Sequence, residues 1–115
     1  MALIANVVKG SDSNRLLLLM HGYGADERDL QGLLPYLDAE GRYAVVLPRG
    51  PVAAPGTPGF AWYDFGDPAG YRQALTELDE FVDEQATSVG LLGGEGIFAG
   101  FSQGAGLALG LAVLP

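Results

Sequence analysis

Hydrophobic and polar positions fall in short blocks along this 115-residue chain, and the period changes from block to block. Ala2 to Val8 is a mostly apolar stretch that reads as a strand, and Gly10-Ser11-Asp12-Ser13-Asn14 supplies a turn after it. Arg15 to Met20 is a nearly continuous apolar run of strand length, the pattern of a strand covered on both faces. A Gly-containing loop, His21 to Ala25, follows. Asp26 then caps a predicted helix in which Leu30, Leu33, Leu34 and Leu37 recur at helical spacing, with acidic residues in its first turn and Gly41 at its end. Tyr43 to Leu47 is a third strand. The segment from Pro48 to Pro58 holds four prolines and two glycines, which predicts a long irregular loop of the functional kind. Tyr71, Leu75, Leu78 and Val82 mark a second amphipathic helix, Glu95 to Gly100 a fourth strand, and Ser102 to Leu114 a third helix.

Strands that alternate with helices need crossover connections, so the pattern predicts an α/β fold with a mostly parallel sheet flanked by helices. The third helix is apolar on every side from Ala105 to Leu114, which calls for burial on every side. One side belongs on the sheet. The other needs a neighbour, and the fourth strand would show an open edge where a fifth belongs. The pattern therefore predicts either a fragment or a chain completed by another.

Composition narrows the function classes. Residues 1–115 fit one domain at most, able to bury about two-thirds of its unfolded surface. Six basic residues against fourteen acidic ones leave a net charge of −8, which argues against nucleic-acid binding, where clustered Lys and Arg displace counterions. The absence of cysteine excludes disulfides and thiolate metal sites. No secretory signal pattern is visible at the N-terminus, and the apolar run ending at Met20 is far too short to span a membrane. A soluble, cytoplasmic protein is the expectation. Glu77, Asp79, Glu80, Asp83 and Glu84 lie opposite Leu75, Leu78 and Val82 on the second helix and read as its solvated face. Gly104, Gly106 and Gly110 imitate a dinucleotide fingerprint but sit inside a helix, with no acid about twenty residues on, so no cofactor is expected. No metal site is expected either.

Chemistry concentrates at Gly100-Phe101-Ser102-Gln103-Gly104. This G-x-S-x-G pentapeptide falls between a predicted strand and a predicted helix, where a sharp turn can lift a serine hydroxyl off the end of a sheet. Upstream, His21-Gly22-Tyr23-Gly24-Ala25-Asp26 joins a buried strand to the first helix, the kind of loop that lends a backbone amide to an oxyanion hole in hydrolases of this architecture. His21 is the only histidine. It precedes the serine, which is the wrong chain order for the base of such a triad, and it reads as a ring packed under the oxyanion loop and bonded to backbone. Asp64 lies in the loop after the third strand and reads as no triad acid.

These two segments, together with Arg49-Gly50-Pro51 and Trp62-Tyr63-Asp64, resemble the N-terminal part of the phospholipase/carboxylesterase (acyl-protein thioesterase-like) family of α/β-hydrolases. The resemblance implies an incomplete α/β-hydrolase fold and a serine carboxylesterase or thioesterase acting on a small acyl ester or thioester. It implies Ser102 as nucleophile, the amides of Tyr23 and Gln103 as the oxyanion hole, and Trp62 and Tyr63 near the acyl pocket. The family's aspartate and histidine would follow Pro115, and nothing in this sequence matches them. Two readings stand side by side. One is the esterase, as a homo-oligomer or completed by a missing C-terminal half; the other is a non-catalytic fragment or remnant of a hydrolase.

Overall fold

The computed structural model describes residues 3–9, 15–88 and 96–113; the Gly10–Asn14 turn lies outside them. Four strands form one mixed sheet in the order β1-β3-β2-β6: β1 (Ala5–Val8), β3 (Tyr43–Pro48), β2 (Arg15–Met20) and β6 (Gly96–Gly100). β2 runs parallel to both neighbours, with Leu17 beside Val45 on one side and Ile97 on the other. β1 is the exception to the parallel pattern, pairing antiparallel with β3 from Ala5↔Pro48 to Val8↔Val45.

Alternation along β2 sends its side chains to two separate cores. Leu16, Leu18 and Met20 pack with Ala74, Leu78 and Phe81 of α2 (Pro68–Ser88) and Leu107, Ala108 and Leu111 of α3 (Gln103–Ala112). Leu17 and Leu19 pack on the opposite face with Val45, Leu47 and Leu34. This explains why β2 reads as an unbroken apolar run: both faces are covered. Each fully buried Leu or Val contributes about 1.5–3 kcal/mol.

Two expectations are corrected. The leucine repeat predicts one helix capped by Asp26 and ended by Gly41, whereas the chain makes turns, a 3₁₀ turn at Gln31–Leu33 and a single α turn, α1 (Leu34–Leu37). Gly32 weakens a helix there, and Pro35 lacks the N–H that an interior position must donate. Of the repeat only Leu34 is buried, and Leu33 and Leu37 face outward. The proline-rich loop is not wholly irregular, because β4 (Val52–Ala53) pairs antiparallel with β5 (Phe60–Ala61) as a short ribbon. The third helix is as expected: one side packs on the sheet, and the side that needs a neighbour is open, with Leu109 70% and Val113 74% exposed. Among the described residues nothing covers the apolar outer face of α3 (Gln103–Ala112), and β6 pairs only with β2. The acidic face of α2 is as expected for Asp79, Glu80, Asp83 and Glu84, which are exposed, but not for Glu77, which is half-buried. Among the described residues no helix is long and apolar enough to cross a membrane.

Candidate active site

Ser102 sits between the end of β6 and the start of α3 with φ 55° and ψ −115°, and it is the only non-glycine residue at positive φ among the described residues. L-residues avoid this region, and holding one there costs about 1–3 kcal/mol. The turn is kept by the Gly104 N–H donating to the Phe101 carbonyl at 3.0 Å and the Ala105 N–H to the Ser102 carbonyl at 3.0 Å. The flanking glycines make the turn possible. A Cβ on Gly100 would lie 2.7 Å from the Ala105 nitrogen, and one on Gly104 would lie 2.6 Å from the His21 carbonyl oxygen. The helix start thus packs directly on the end of β2.

The loop after β2 closes on the serine from the other side. A Cβ on Gly22 would come within 3.2 Å of the Phe101 carbonyl and 3.3 Å of the Ser102 Cβ, so backbone of the two loops is in contact there. The parallel pairing of β2 with β6 brings Tyr23, Ser102 and Gln103 to the same sheet edge, at the strands' carboxyl ends. Neither the Tyr23 nor the Gln103 backbone N–H donates a hydrogen bond among the described residues, whereas Gly24 and Ala25 donate to Phe60 and Gly22. Among the described residues, then, each of the two chain segments that meet at Ser102 carries one amide without an acceptor.

Around these loops runs a continuous hydrogen-bonded brace. The His21 ring is buried; its Nδ1 lies 2.7 Å from the Gly22 carbonyl oxygen, and its Nε2 lies 2.9 Å from the Gly50 amide nitrogen. A carbonyl can only accept and an amide N–H can only donate, so the ring is neutral with its proton on Nδ1. Burial pushes its pKa below the usual 6.5, partly opposed by the Gly22 hydrogen bond and by the charges of Asp26, Asp29 and Glu27. Both nitrogens are therefore committed to backbone, and His21 is not free to act as a base. Trp62 stacks on the His21 ring at 5.0 Å between centroids and donates from Nε1 to the His21 carbonyl at 2.9 Å. Trp62 is 2% exposed and belongs to the core. Tyr63 is half-buried beside it and lines a cavity of about 250 Å³ between the 51–67 segment and α2, which Trp62, Asp64, Asp67 and Glu77 also border. Burial also pushes the Tyr63 hydroxyl pKa up. Ser102 does not border that cavity.

Sequence reasoning missed the pair that anchors the loop after β2. Glu27 is 5% exposed and takes both of its hydrogen bonds from Arg49, Nε to Oε1 at 2.9 Å and an Nη to Oε2 at 2.6 Å. Arg49 holds the Glu27 carboxyl below its ordinary range, and the guanidinium also lies over the Phe60 ring, 4.4 Å from its centroid. No local pattern in the sequence marks a partner 22 residues away. Among the described residues no three His, Cys, Asp or Glu side chains converge as metal ligands.

Several solved structures resemble this one, three esterases among them. Esterase PE8 aligns over 100% of this chain and 60% of its own, with TM-score 0.85 and 31% identity. A carboxylesterase from Mesorhizobium loti aligns over 96% of this chain and 54% of its own, with TM-score 0.78 and 28% identity. The Bacillus cereus carboxylesterase aligns over 95% and 52%, with TM-score 0.75 and 32% identity. The chain thus spans between half and three-fifths of the length of these relatives and shares their α/β-hydrolase fold over that span. The profile of the phospholipase/carboxylesterase family matches residues 3–114, almost the whole sequence, and the chain belongs to that family.

Proposed function

We propose that this chain is the nucleophile-bearing part of a serine hydrolase that cleaves acyl esters or thioesters. The observation that carries the reading is the backbone of Ser102, held at φ 55° on a strand-to-helix turn against Gly22. Strain of that kind is retained where a geometry has a use. In this reading the Ser102 Oγ attacks the substrate carbonyl carbon while its proton passes to a base. The carbonyl oxygen becomes an oxyanion within reach of the Tyr23 and Gln103 amides. The alcohol or thiol then leaves with that proton, and water hydrolyses the acyl-serine to regenerate the hydroxyl. Tyr63, with Trp62 behind it, would bound the substrate site. No cofactor takes part.

The base and the acid that orients it come from outside residues 1–115 in this reading, since His21 is the only histidine and its ring is committed to backbone. The same observation favours the second reading, a non-catalytic remnant. A fluorophosphonate probe separates the two. The site of modification is read by mass spectrometry on the 115-residue chain and on the longer product of the reading frame, should it continue past Pro115. Slow labelling of the short chain and fast labelling of the longer one, both at Ser102 and both lost in Ser102→Ala, support the hydrolase. Labelling elsewhere, or none in either protein, supports the remnant.

A further inference from the structure

Each of the two amides assigned to the oxyanion hole is one end of a peptide group, and the structure shows what grips the other end. The Gln103 N–H shares its peptide with the Ser102 carbonyl, which accepts from Ala105 at 3.0 Å and Gly106 at 3.3 Å. That is the ordinary opening of a helix. The Tyr23 N–H shares its peptide with the Gly22 carbonyl, which accepts from the Ala25 N–H at 3.2 Å and from His21 Nδ1 at 2.7 Å. The shorter of these comes from a side chain whose far nitrogen is itself gripped, by the Gly50 N–H at 2.9 Å.

We infer that Gly50, His21 and the Gly22–Tyr23 peptide form one hydrogen-bond relay, in which His21 is the positioning residue that aims and polarises the Tyr23 amide at the oxyanion. The inference rests on the hydrolase reading for its use, but its geometry stands without it. The order of donation is the same at every step. Gly50 N–H donates to Nε2, Nδ1–H donates to the Gly22 oxygen, and the Tyr23 N–H across the planar peptide is left pointing away as a donor. Hydrogen bonds in such a chain polarise one another, by perhaps 10–30% per bond in a low-dielectric interior. The bond from Gly50 also fixes the tautomer, because a ring that accepts at Nε2 must carry its proton on Nδ1. Two features hold the relay in place. Trp62 stacks on the ring and bonds the His21 carbonyl, which stops the imidazole turning. Position 50 has no room for a side chain: a Cβ there would lie 3.1 Å from the Trp62 nitrogen and closer still to the Ala61 carbonyl, so only glycine brings its N–H to Nε2 undisturbed.

The first test needs no substitution. Long-range ¹H–¹⁵N correlation on the 115-residue chain reads the tautomer of its only histidine. A proton on Nδ1 with an unprotonated Nε2 supports the relay, and a proton on Nε2 overturns it. The second test uses two variants that lose the Trp62 stack alike but differ in which nitrogen they copy. His21→Asn keeps an amide N–H near the Nδ1 position, and His21→Gln keeps a polar atom near Nε2 only. The Gly22 carbonyl ¹³C resonance should stay near its native position in His21→Asn and move upfield in His21→Gln. Phosphonylation of Ser102 should fall at least about tenfold in His21→Gln, part of the 10²–10³ that a lost oxyanion donor costs, and His21→Asn should recover most of that loss. Equal effects of the two variants, or the reverse order, refute the relay. If native Ser102 does not react at all, the hydrolase reading fails, and the tautomer and carbonyl resonance still decide the relay by themselves.

Discussion

Gln103 holds the backbone of Trp62 through its side-chain amide: Oε1 accepts from the Trp62 N–H at 2.8 Å, while Nε2 donates to the next carbonyl, that of Tyr63, at 2.8 Å. The residue that follows the serine thus imitates a neighbouring strand for a loop some forty residues upstream. Through Trp62 Nε1 and the His21 carbonyl this ties the start of α3 to the end of β2. Both loops that carry the proposed oxyanion donors are therefore fastened to the same pair of residues.

Replacing Gln103 by Ala removes both bonds and leaves the Trp62 N–H and the Tyr63 carbonyl without partners in a buried place. Each orphaned group costs about 1–3 kcal/mol, so Gln103→Ala should lose about 2 kcal/mol or more in chemical denaturation. Gln103→Glu should lose less in acid than at neutral pH, because only the protonated carboxyl can donate to Tyr63. A Gln103→Ala chain as stable as the native one would mean that the brace is ornamental.

The Glu27–Arg49 pair gives a pH-dependent prediction. Arg49 lowers the pKa of Glu27 from its usual value near 4.5. A carboxyl with a depressed folded pKa contributes stability above its unfolded pKa and loses it as pH falls through the folded value. Arg49→Met strands the buried carboxylate, so it should lower the Tm clearly at pH 7 and progressively less below about pH 4.5. The double variant Glu27→Leu/Arg49→Met should recover most of the loss at neutral pH. A Tm deficit of equal size at pH 4 and pH 7 would assign the effect to packing of Arg49 on Phe60.

What the sequence shows and what it hides divide along physical lines. The apolar run of β2 betrays its two-sided burial, and the glycines around Ser102 betray a turn that a Cβ would block. Those signals are local, and the parallel sense of β2, β3 and β6 follows from the alternation of strands with helices. The interruption of the first helix is legible too, in the Gly32 and Pro35 that break the leucine spacing. The braces were not. Glu27 with Arg49, Gln103 with Trp62 and His21 with Gly50 lie 22, 41 and 29 residues apart, and each looks in the sequence like an ordinary polar residue. Their meaning comes from burial, which only the packed chain supplies. The antiparallel sense of β1 is similarly absent from its short apolar pattern.

His21 adds a second pH window, distinct from that of Glu27. Burial lowers its folded pKa below the usual 6.5, against the pull of the Gly22 carbonyl, Asp26, Asp29 and Glu27. Between about pH 6.5 and that lower value the unfolded chain binds the proton and the folded one does not. Stability should therefore fall as pH drops through this interval, while above it the contribution of His21 is full and does not change with pH. Denaturant midpoints measured from pH 8 to pH 5 on the native chain and on His21→Asn should diverge at the alkaline end and converge toward the acid end. Parallel curves across the whole range would show that the imidazole titrates alike in both states.

Ser102 is where stability and function should pull apart. The strained backbone there costs about 1–3 kcal/mol, and glycine is the residue that removes such strain. Its own greater flexibility in the unfolded chain takes back about 0.5–1 kcal/mol. Alanine removes the hydroxyl but keeps the Cβ and with it the strain. Ser102→Gly should therefore be more stable than Ser102→Ala by about 1 kcal/mol, although both lose the proposed nucleophile and with it any phosphonate labelling. The comparison between the two variants matters more than either against the native chain, because it cancels whatever the hydroxyl itself contributes. A gain of this kind on abolishing the reactive group is the expected mark of a site kept at the expense of stability. If Ser102→Gly proves no more stable than Ser102→Ala, the turn at φ 55° is relaxed rather than strained. The main structural support for a nucleophile at Ser102 would then be gone.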